Sequence, residues 1–451
     1  MRPYRIFIFI ACCMLCLGAL CEALPHHVTV GTRTLRWPSL AEVFDMAEPA
    51  TPDLAEIDEE EMPEFPEFAE IPEFPEFIAT DTIEAEREIT PAQPAKRITP
   101  PTVHVDTTAD SRIYLSAFYA ALRQADSRQV RVLHYGDSQI EEDRMTAQIR
   151  HQLQDRFGGT GVGLMPLAQT IPSLSVAQKL YMNDRQVTAL QGPKRYMVYG
   201  LKSMQREDGL YGPMGQMAVM SDSLVKGSER IKTVCTPIDG RARYTRWRVL
   251  ADRSIEHTHN GDTLLLFGKG NVYGLSQESP TGVIVDNIAM RGCLGLVFTH
   301  MNSNQLTQFY NDANVSLIIM QFGGNAIPSN EKPSTIYSIV KGLREQVRYL
   351  KQCAPNASIL FIGPSDMLTT IDGELTTYPM VPYMDRLLRK MANEEEIAYF
   401  SLFKWMGGAG SMIRWQEVGW AGKDGVHFQR SGARKAGNAV VEWVIDGMDK
   451  R

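Results

Sequence analysis

Val130-Arg131-Val132-Leu133-His134-Tyr135-Gly136-Asp137-Ser138 is the stretch that decides the fold. Its β-branched and aromatic residues read as a buried strand over Val130 to Tyr135. The Gly-Asp-Ser that follows places a hydroxyl nucleophile on a turn at the strand's carboxyl edge. Upstream, Ser111 to Ala125 carries Ile113, Leu115, Phe118, Ala121 and Leu122 at helical spacing. Downstream, Met145 to Phe157 returns to helical periodicity, and Gly158, Gly159, Gly161 and Gly163 end it. Strand, reactive turn, then helix is the opening of an α/β domain.

Later segments continue the alternation. Strands are expected at Val315 to Phe322, Ser358 to Gly363 and Ile397 to Phe403. Helices are expected at Thr335 to Cys353, Met384 to Asn393 and Ser431 to Met448. Open parallel sheets bind ligands at the carboxyl ends of their strands. Gly323-Gly324-Asn325 follows such a strand, so Asn325 and Ser138 can converge although distant in sequence. Near the C-terminus, Asp424-Gly425-Val426-His427 supplies a base with a carboxylate three residues earlier. Serine, histidine and aspartate are the nucleophile, base and orienter of acyl transfer.

The segment from about 170 to 278 breaks the alternation. Short strand-like runs at Tyr196 to Gly200, Gln216 to Met220, Ile231 to Cys235, Arg246 to Leu250 and Thr263 to Phe267 alternate with turn residues. That spacing predicts an inserted β-sandwich over 170–278. It is either a carbohydrate-binding module or a wall of the cleft. The α/β domain then comprises 108–169 and 279–451.

The N-terminal region has a different character. Arg2 and Arg5 precede an apolar run from Ile6 to Leu20, with small residues near Cys21 and Ala23. This pattern predicts a secretory signal peptide over 1–23; an anchoring helix or lipidation at Cys21 are the alternatives. Residues 24–107 read as a largely disordered tether, in which Pro63-Glu64-Phe65-Pro66-Glu67-Phe68 recurs as Pro72 to Phe77. Residues 41–90 hold 18 Asp and Glu against one Arg, whereas residues 91–451 are net positive, although the whole chain carries −7. The acidic stretch is a spacer, folds back on the basic body, or engages an envelope partner. Of seven cysteines, Cys235, Cys293 and Cys353 lie beyond the signal segment, so no disulfide framework is expected. No CxxC pair marks a zinc site. His257 and His259 lie on one strand face without an evident third ligand.

Taken together, the motifs resemble the SGNH, or GDSL, hydrolases. Tyr135-Gly136-Asp137-Ser138 matches the first block, Asn287 to Gly295 the second, Gly323-Gly324-Asn325 the third, and Asp424-Gly425-Val426-His427 the last. The resemblance covers about 108–165 and 280–448, and a split domain with an inserted β-module is similar to peptidoglycan O-acetylesterases and related carbohydrate esterases. It implies an α/β, flavodoxin-like three-layer domain with a parallel sheet. It implies a catalytic triad of Ser138, Asp424 and His427. The oxyanion hole would be the backbone N–H groups of Ser138 and Gly292 with the Asn325 amide, Gly295 being the alternative glycine. No metal or cofactor is required. The expected substrate is an O-acetylated glycan, peptidoglycan or another polysaccharide, met in the periplasm or at the cell surface; nucleic acid is not an expected partner. An envelope acyltransferase, a lipid esterase and a non-catalytic glycan-binding scaffold are the other readings. One departure is Ala326, where the family carries an aspartate. Arg144 would meet a substrate anion or form a helix ion pair, and Trp405, Trp415 and Trp420 would stack on sugar or pack in the core.

Overall fold

A computed structural model of the protein describes residues 27–30, 33–36, 110–166, 172–182, 185–187, 231–238, 246–251, 256–267 and 272–450. β1 (His27–Val30) and β2 (Arg33–Arg36) pair as an antiparallel hairpin. The signal segment and the rest of the expected tether, with both Pro-Glu-Phe repeats, lie outside the described residues. So do the strands expected at Tyr196 to Gly200 and Gln216 to Met220.

From Asp110 the chain forms a 3-10 turn and α1 (Ser116–Leu122), β3 (Gln129–Gly136), α2 (Thr146–Phe157) and β4 (Gly163–Met165). Seven strands follow: β5 (Val176–Met182), β6 (Arg185–Val187), β7 (Ile231–Pro237), β8 (Arg246–Ala251), β9 (Glu256–Asn260), β10 (Thr263–Phe267) and β11 (Val272–Glu278). The alternation then resumes with β12 (Gly282–Ala289), α3 (Ser303–Asp312), β13 (Val315–Gln321), α4 (Pro333–Cys353) and β14 (Ser358–Ile362). A hairpin of β15 (Leu368–Ile371) and β16 (Glu374–Thr377) precedes α5 (Met380–Glu394), β17 (Ala398–Phe400), α6 (Leu402–Met406), α7 (Ser411–Glu417) and α8 (Arg430–Asp449).

The central sheet has five parallel strands in the order β12-β3-β13-β14-β17. Successive side chains point to opposite faces of a strand, and both faces of this sheet are covered. Val130, Val132, Leu317, Ile319, Leu360 and Ile362 pack into one apolar layer with residues of α1, α2 and α8. Leu133, Tyr135, Ile318, Met320, Ile359 and Phe361 pack into the other with residues of α3, α4 and α5. The result is the expected three-layer α/β domain. Counted from the first strand, the order is 2-1-3-4-5, the flavodoxin-like arrangement, whose crevice opens between the carboxyl ends of the first and third strands. Those strands are β3 and β13, the ones that deliver Ser138 and Asn325.

β17 is shorter than the expected strand. Ser401 caps the following helix, its hydroxyl accepting from the Lys404 N–H at 3.1 Å, so the chain turns helical at Leu402. Besides the two hairpins, two larger antiparallel sheets occur among the described residues, in the orders β6-β5-β7-β10-β9 and β4-β11-β8. The expected runs at Ile231 to Cys235, Arg246 to Leu250 and Thr263 to Phe267 fall in β7, β8 and β10. The Gln277 amide of β11 donates to the Cys235 carbonyl of β7 at 3.3 Å, tying one antiparallel sheet to the other.

A buried ionic seam joins β3 to β11 and β12. Arg131 has no exposed surface; it donates to Asp286 at 2.7 Å and to Glu278 and Ser276 at 2.8 Å each. Glu278 also accepts from Arg246 at 2.8 Å and Arg248 at 3.1 Å. Burial alone would raise the Glu278 pKa, but Arg131 and Arg248 beside it hold the carboxyl at about 2. Asp286 uses its other oxygen to accept from the Leu164 N–H of β4 at 2.8 Å.

Candidate active site

β3 ends where side chains leave no room. A Cβ on Gly136 would stand 2.9 Å from the Ile140 side chain and 3.2 Å from the Gln321 carbonyl, so a larger residue would have to push its neighbours aside. Asp137 follows, and its carboxylate accepts from the Gln139 N–H at 2.9 Å, capping the short turn Ser138–Asp143. Glu142 and Asp143 adopt left-handed backbone, with φ of 60° and 64°, a conformation that costs roughly 1–3 kcal/mol per non-glycine residue. Side chains hold this turn: Asp143 pairs with Arg150 at 2.6 Å, Asn287 donates to Asp143 at 3.1 Å, and Glu141 pairs with Arg291.

The turn presents Ser138 to His427. The Oγ lies 2.8 Å from Nε2, and His427 Nδ1 lies 2.7 Å from Asp424 Oδ2. Asp424 Oδ1 accepts from the backbone N–H groups of Val426 at 3.0 Å and His427 at 3.1 Å. Partial burial would push this carboxyl up, but the His427 hydrogen bond and the two amides outweigh it and hold the pKa at about 2. Asp424 is therefore an anion throughout the neutral range, suited to fix the imidazole tautomer. The loop carrying the pair closes on itself through Gly422 N–H to the His427 carbonyl at 2.7 Å. It is pinned to the β15 hairpin by Leu368 N–H to the Gly425 carbonyl at 2.9 Å.

Asn325 sits in the turn after β13. Its amide nitrogen donates to Asp137 Oδ2 at 3.1 Å and to the Cys293 carbonyl at 3.2 Å, so both N–H groups are engaged. Gly292 is half-buried in the turn that follows β12, with φ of 72°, next to that Cys293 carbonyl. Gly295 is buried, and a Cβ there would meet the Phe322 ring at 2.7 Å, which gives it a packing role. Asp137, almost fully buried, has its pKa raised to about 6 by burial, against the Gln139 amide and the nearby His427. Ala326 is wholly buried in the apolar layer with α4 and α5, so that layer takes up the position where the family carries an aspartate.

A cleft of about 500 Å³, including the space open to solvent, contains Ser138, His427 and Asn325 and is walled by Pro328, Pro364 and Met367. Arg144 forms no helix salt bridge among the described residues. It donates to three backbone carbonyls, those of Ser138 at 2.6 Å and of Glu141 and Phe428 at 3.0 Å. Gln139, which no sequence signal marks beyond its adjacency to Ser138, has an amide that joins the serine turn to the histidine loop. His134 is fully buried between Gln321 at 3.1 Å and Thr146 at 2.9 Å, and burial lowers its pKa to about 4. Trp405, Trp415 and Trp420 stack edge to face, and Trp415 packs on Phe428 beneath the histidine loop. Among the described residues, Cys235, Cys293 and Cys353 are buried free thiols, and no group of three or more His, Cys, Asp or Glu is placed to hold a metal ion. His257 and His259 lie on the exposed β9.

A parallel sheet in this order, with serine, histidine and aspartate meeting at its carboxyl edge, agrees with the SGNH-type fold that the sequence motifs lead one to expect. A solved structure of a peptidoglycan O-acetylesterase shares the fold: it aligns over 76% of this chain and 97% of its own, with a TM-score of 0.56 at 19% identity. An acetyl xylan esterase from the rumen bacterium Butyrivibrio proteoclasticus aligns over 64% of this chain and 89% of its own at 9% identity. Its TM-score of 0.26 carries no weight. No protein-family model and no curated protein sequence matches the chain.

Proposed function

We propose that the protein is an exported serine esterase that removes O-acetyl groups from a polysaccharide, with peptidoglycan as the favoured substrate. The observation that carries this reading is the relay at 2.8 and 2.7 Å from Ser138 through His427 to Asp424. Ser138 Oγ attacks the acetyl carbonyl while His427 Nε2 takes its proton. The sugar hydroxyl then leaves with that proton, and an acetyl ester remains on Ser138. Water, deprotonated by His427, attacks this ester, and His427 returns the proton to Ser138 Oγ as the acyl–oxygen bond breaks and acetate is released. Asp424 stabilises the charged imidazole in both halves.

The oxyanion of each tetrahedral intermediate would be met by the backbone N–H groups of Ser138 and Gly292. Asn325 joins them when one of its N–H groups turns from Asp137 or the Cys293 carbonyl toward the cleft. A single such donor is typically worth about 2.7–4 kcal/mol in the transition state. Pro328, Pro364 and Met367 line the cleft beside Ser138, and a small acyl group is the acyl part proposed.

The choice of peptidoglycan is supported by the fold shared with the peptidoglycan O-acetylesterase, and export by the basic, apolar N-terminus. Acetate release from O-acetylated peptidoglycan and from acetylated xylan, beside a Ser138→Ala control, tests the proposal. Release from peptidoglycan that vanishes in the control is the expected result. Release from xylan alone would move the substrate class, and release from neither would overturn the reading.

A further inference from the structure

Ser138 and His427 belong to loops 289 residues apart, yet Oγ and Nε2 must stay within hydrogen-bond reach through a whole turnover. Hydrogen bonds of the histidine loop to itself and to the β15 hairpin fix its shape without fixing its distance from the serine. Apart from the Ser138–His427 bond itself, two side chains tie it by hydrogen bonds to the serine turn among the described residues, Gln139 on that turn and Arg144 immediately after it. The Gln139 amide nitrogen donates to the Val426 carbonyl at 3.0 Å, and its oxygen accepts from the Phe428 N–H at 3.0 Å. One carboxamide thus brackets His427 from the residue before it and the residue after it. The same nitrogen reaches Ser365 Oγ at 3.3 Å, which fixes the amide's orientation. Arg144 spans the same gap a second time, from the Ser138 carbonyl to the Phe428 carbonyl.

We propose that Gln139 is a positioning residue for the reaction, setting the Ser138–His427 distance by holding the histidine loop on both sides of the ring, with Arg144 as a second strut. The inference rests on the esterase reading above. Gln139 touches no reacting atom and acts through the backbone of Val426 and Phe428. Active-site geometry must be held within about 0.5 Å, and a misplacement of about 1 Å costs roughly 100-fold in rate. Both polar ends of the side chain are needed, because one partner is an acceptor and the other a donor. A carboxylate of the same shape would satisfy Phe428 and repel the Val426 carbonyl. Once protonated, it would satisfy both.

The test uses Gln139→Ala and Gln139→Glu in the full chain, with thermal unfolding to verify that each is folded. kcat and KM are measured on 4-nitrophenyl acetate from pH 5 to 8. Gln139→Ala is expected to lose about 100-fold in kcat with KM changed less than threefold. Gln139→Glu is expected to approach the wild type as pH falls, its activity ratio to wild type rising as the buried carboxyl takes up its proton. That ratio cannot follow from a merely structural role. A Gln139→Ala variant within threefold of wild-type kcat, or a Gln139→Glu ratio that is flat with pH, would overturn the inference. Should Gln139→Ala fail to fold, the Gln139→Glu pH profile decides alone. Should the wild type cleave no ester, the esterase reading falls. The 15N shift of His427 Nε2, the atom that faces Ser138 Oγ, then decides, since its being unchanged in Gln139→Ala would overturn the positioning role as well.

Discussion

The carboxyl edge of the parallel sheet and the seam beside β11 both gather charged side chains, and they treat them in opposite ways. At the edge, Asp424 and His427 keep 45% and 37% of their side-chain surface exposed, and each is held by directional hydrogen bonds. At the seam, Arg131, Glu278 and Asp286 have no exposure, and every charge is answered by another. In the proposed reaction a proton must enter and leave the first group, and solvent and a cleft lie within its reach. Nothing moves at the second, where removing one partner would strand a charge in a dry interior. The first region should therefore be chemically fragile and thermally tolerant, the second the reverse.

The largest expected effect belongs to the edge. His427→Ala should lower kcat for ester hydrolysis by about a million-fold while shifting the unfolding midpoint little, as steady-state kinetics and calorimetry would read. Asp424→Asn should cost about ten-thousand-fold, since the amide favours the wrong tautomer. At the seam the balance inverts. Arg131→Met should destabilise the fold by about 3–5 kcal/mol in urea titration, with kcat per folded molecule near wild type. An Arg131→Met variant that unfolded normally but lost activity would break the contrast.

A smaller effect distinguishes the two histidines by pH. The depressed pKa of His134 means that the unfolded chain binds a proton before the folded one does. Its contribution to stability is complete above pH 6.5 and is lost as pH falls toward about 4. His134→Asn should flatten that part of the stability–pH curve in urea titrations at several pH values. The smallest effect is expected on the outer surface, at the pair Arg156–Asp449, whose side chains are 51% and 58% exposed. Arg156→Ala should change stability by less than about 1 kcal/mol.

Much of the edge was legible in the sequence because its signals are local. An apolar run ending in Gly-Asp-Ser, and an aspartate three residues before a histidine, place reactive groups at strand and loop ends without reference to anything distant. The seam was not legible. β12 went unassigned because Asp286 and Asn287 interrupt its apolar run; in the fold Asp286 answers Arg131, and Asn287 braces the serine turn through the Ile140 carbonyl and Thr146. The β15–β16 hairpin turns on Asp372-Gly373, a two-residue signal hidden among threonines. Gln139 gave no pattern and the sequence did not show the backbone partners of Arg144, since partners 284 to 289 residues away leave no trace in spacing. Ala326 departed from the family pattern for a reason visible only in three dimensions, its place in the apolar layer beside α4 and α5.

The most direct test of the central claim is covalent labelling by a fluorophosphonate, with the modified residue located by peptide mass spectrometry. Because the relay makes Ser138 Oγ a nucleophile, one adduct is expected, on Ser138, and it should form far more slowly in His427→Ala. An unlabelled wild-type protein, or an adduct on a different side chain, would contradict the account.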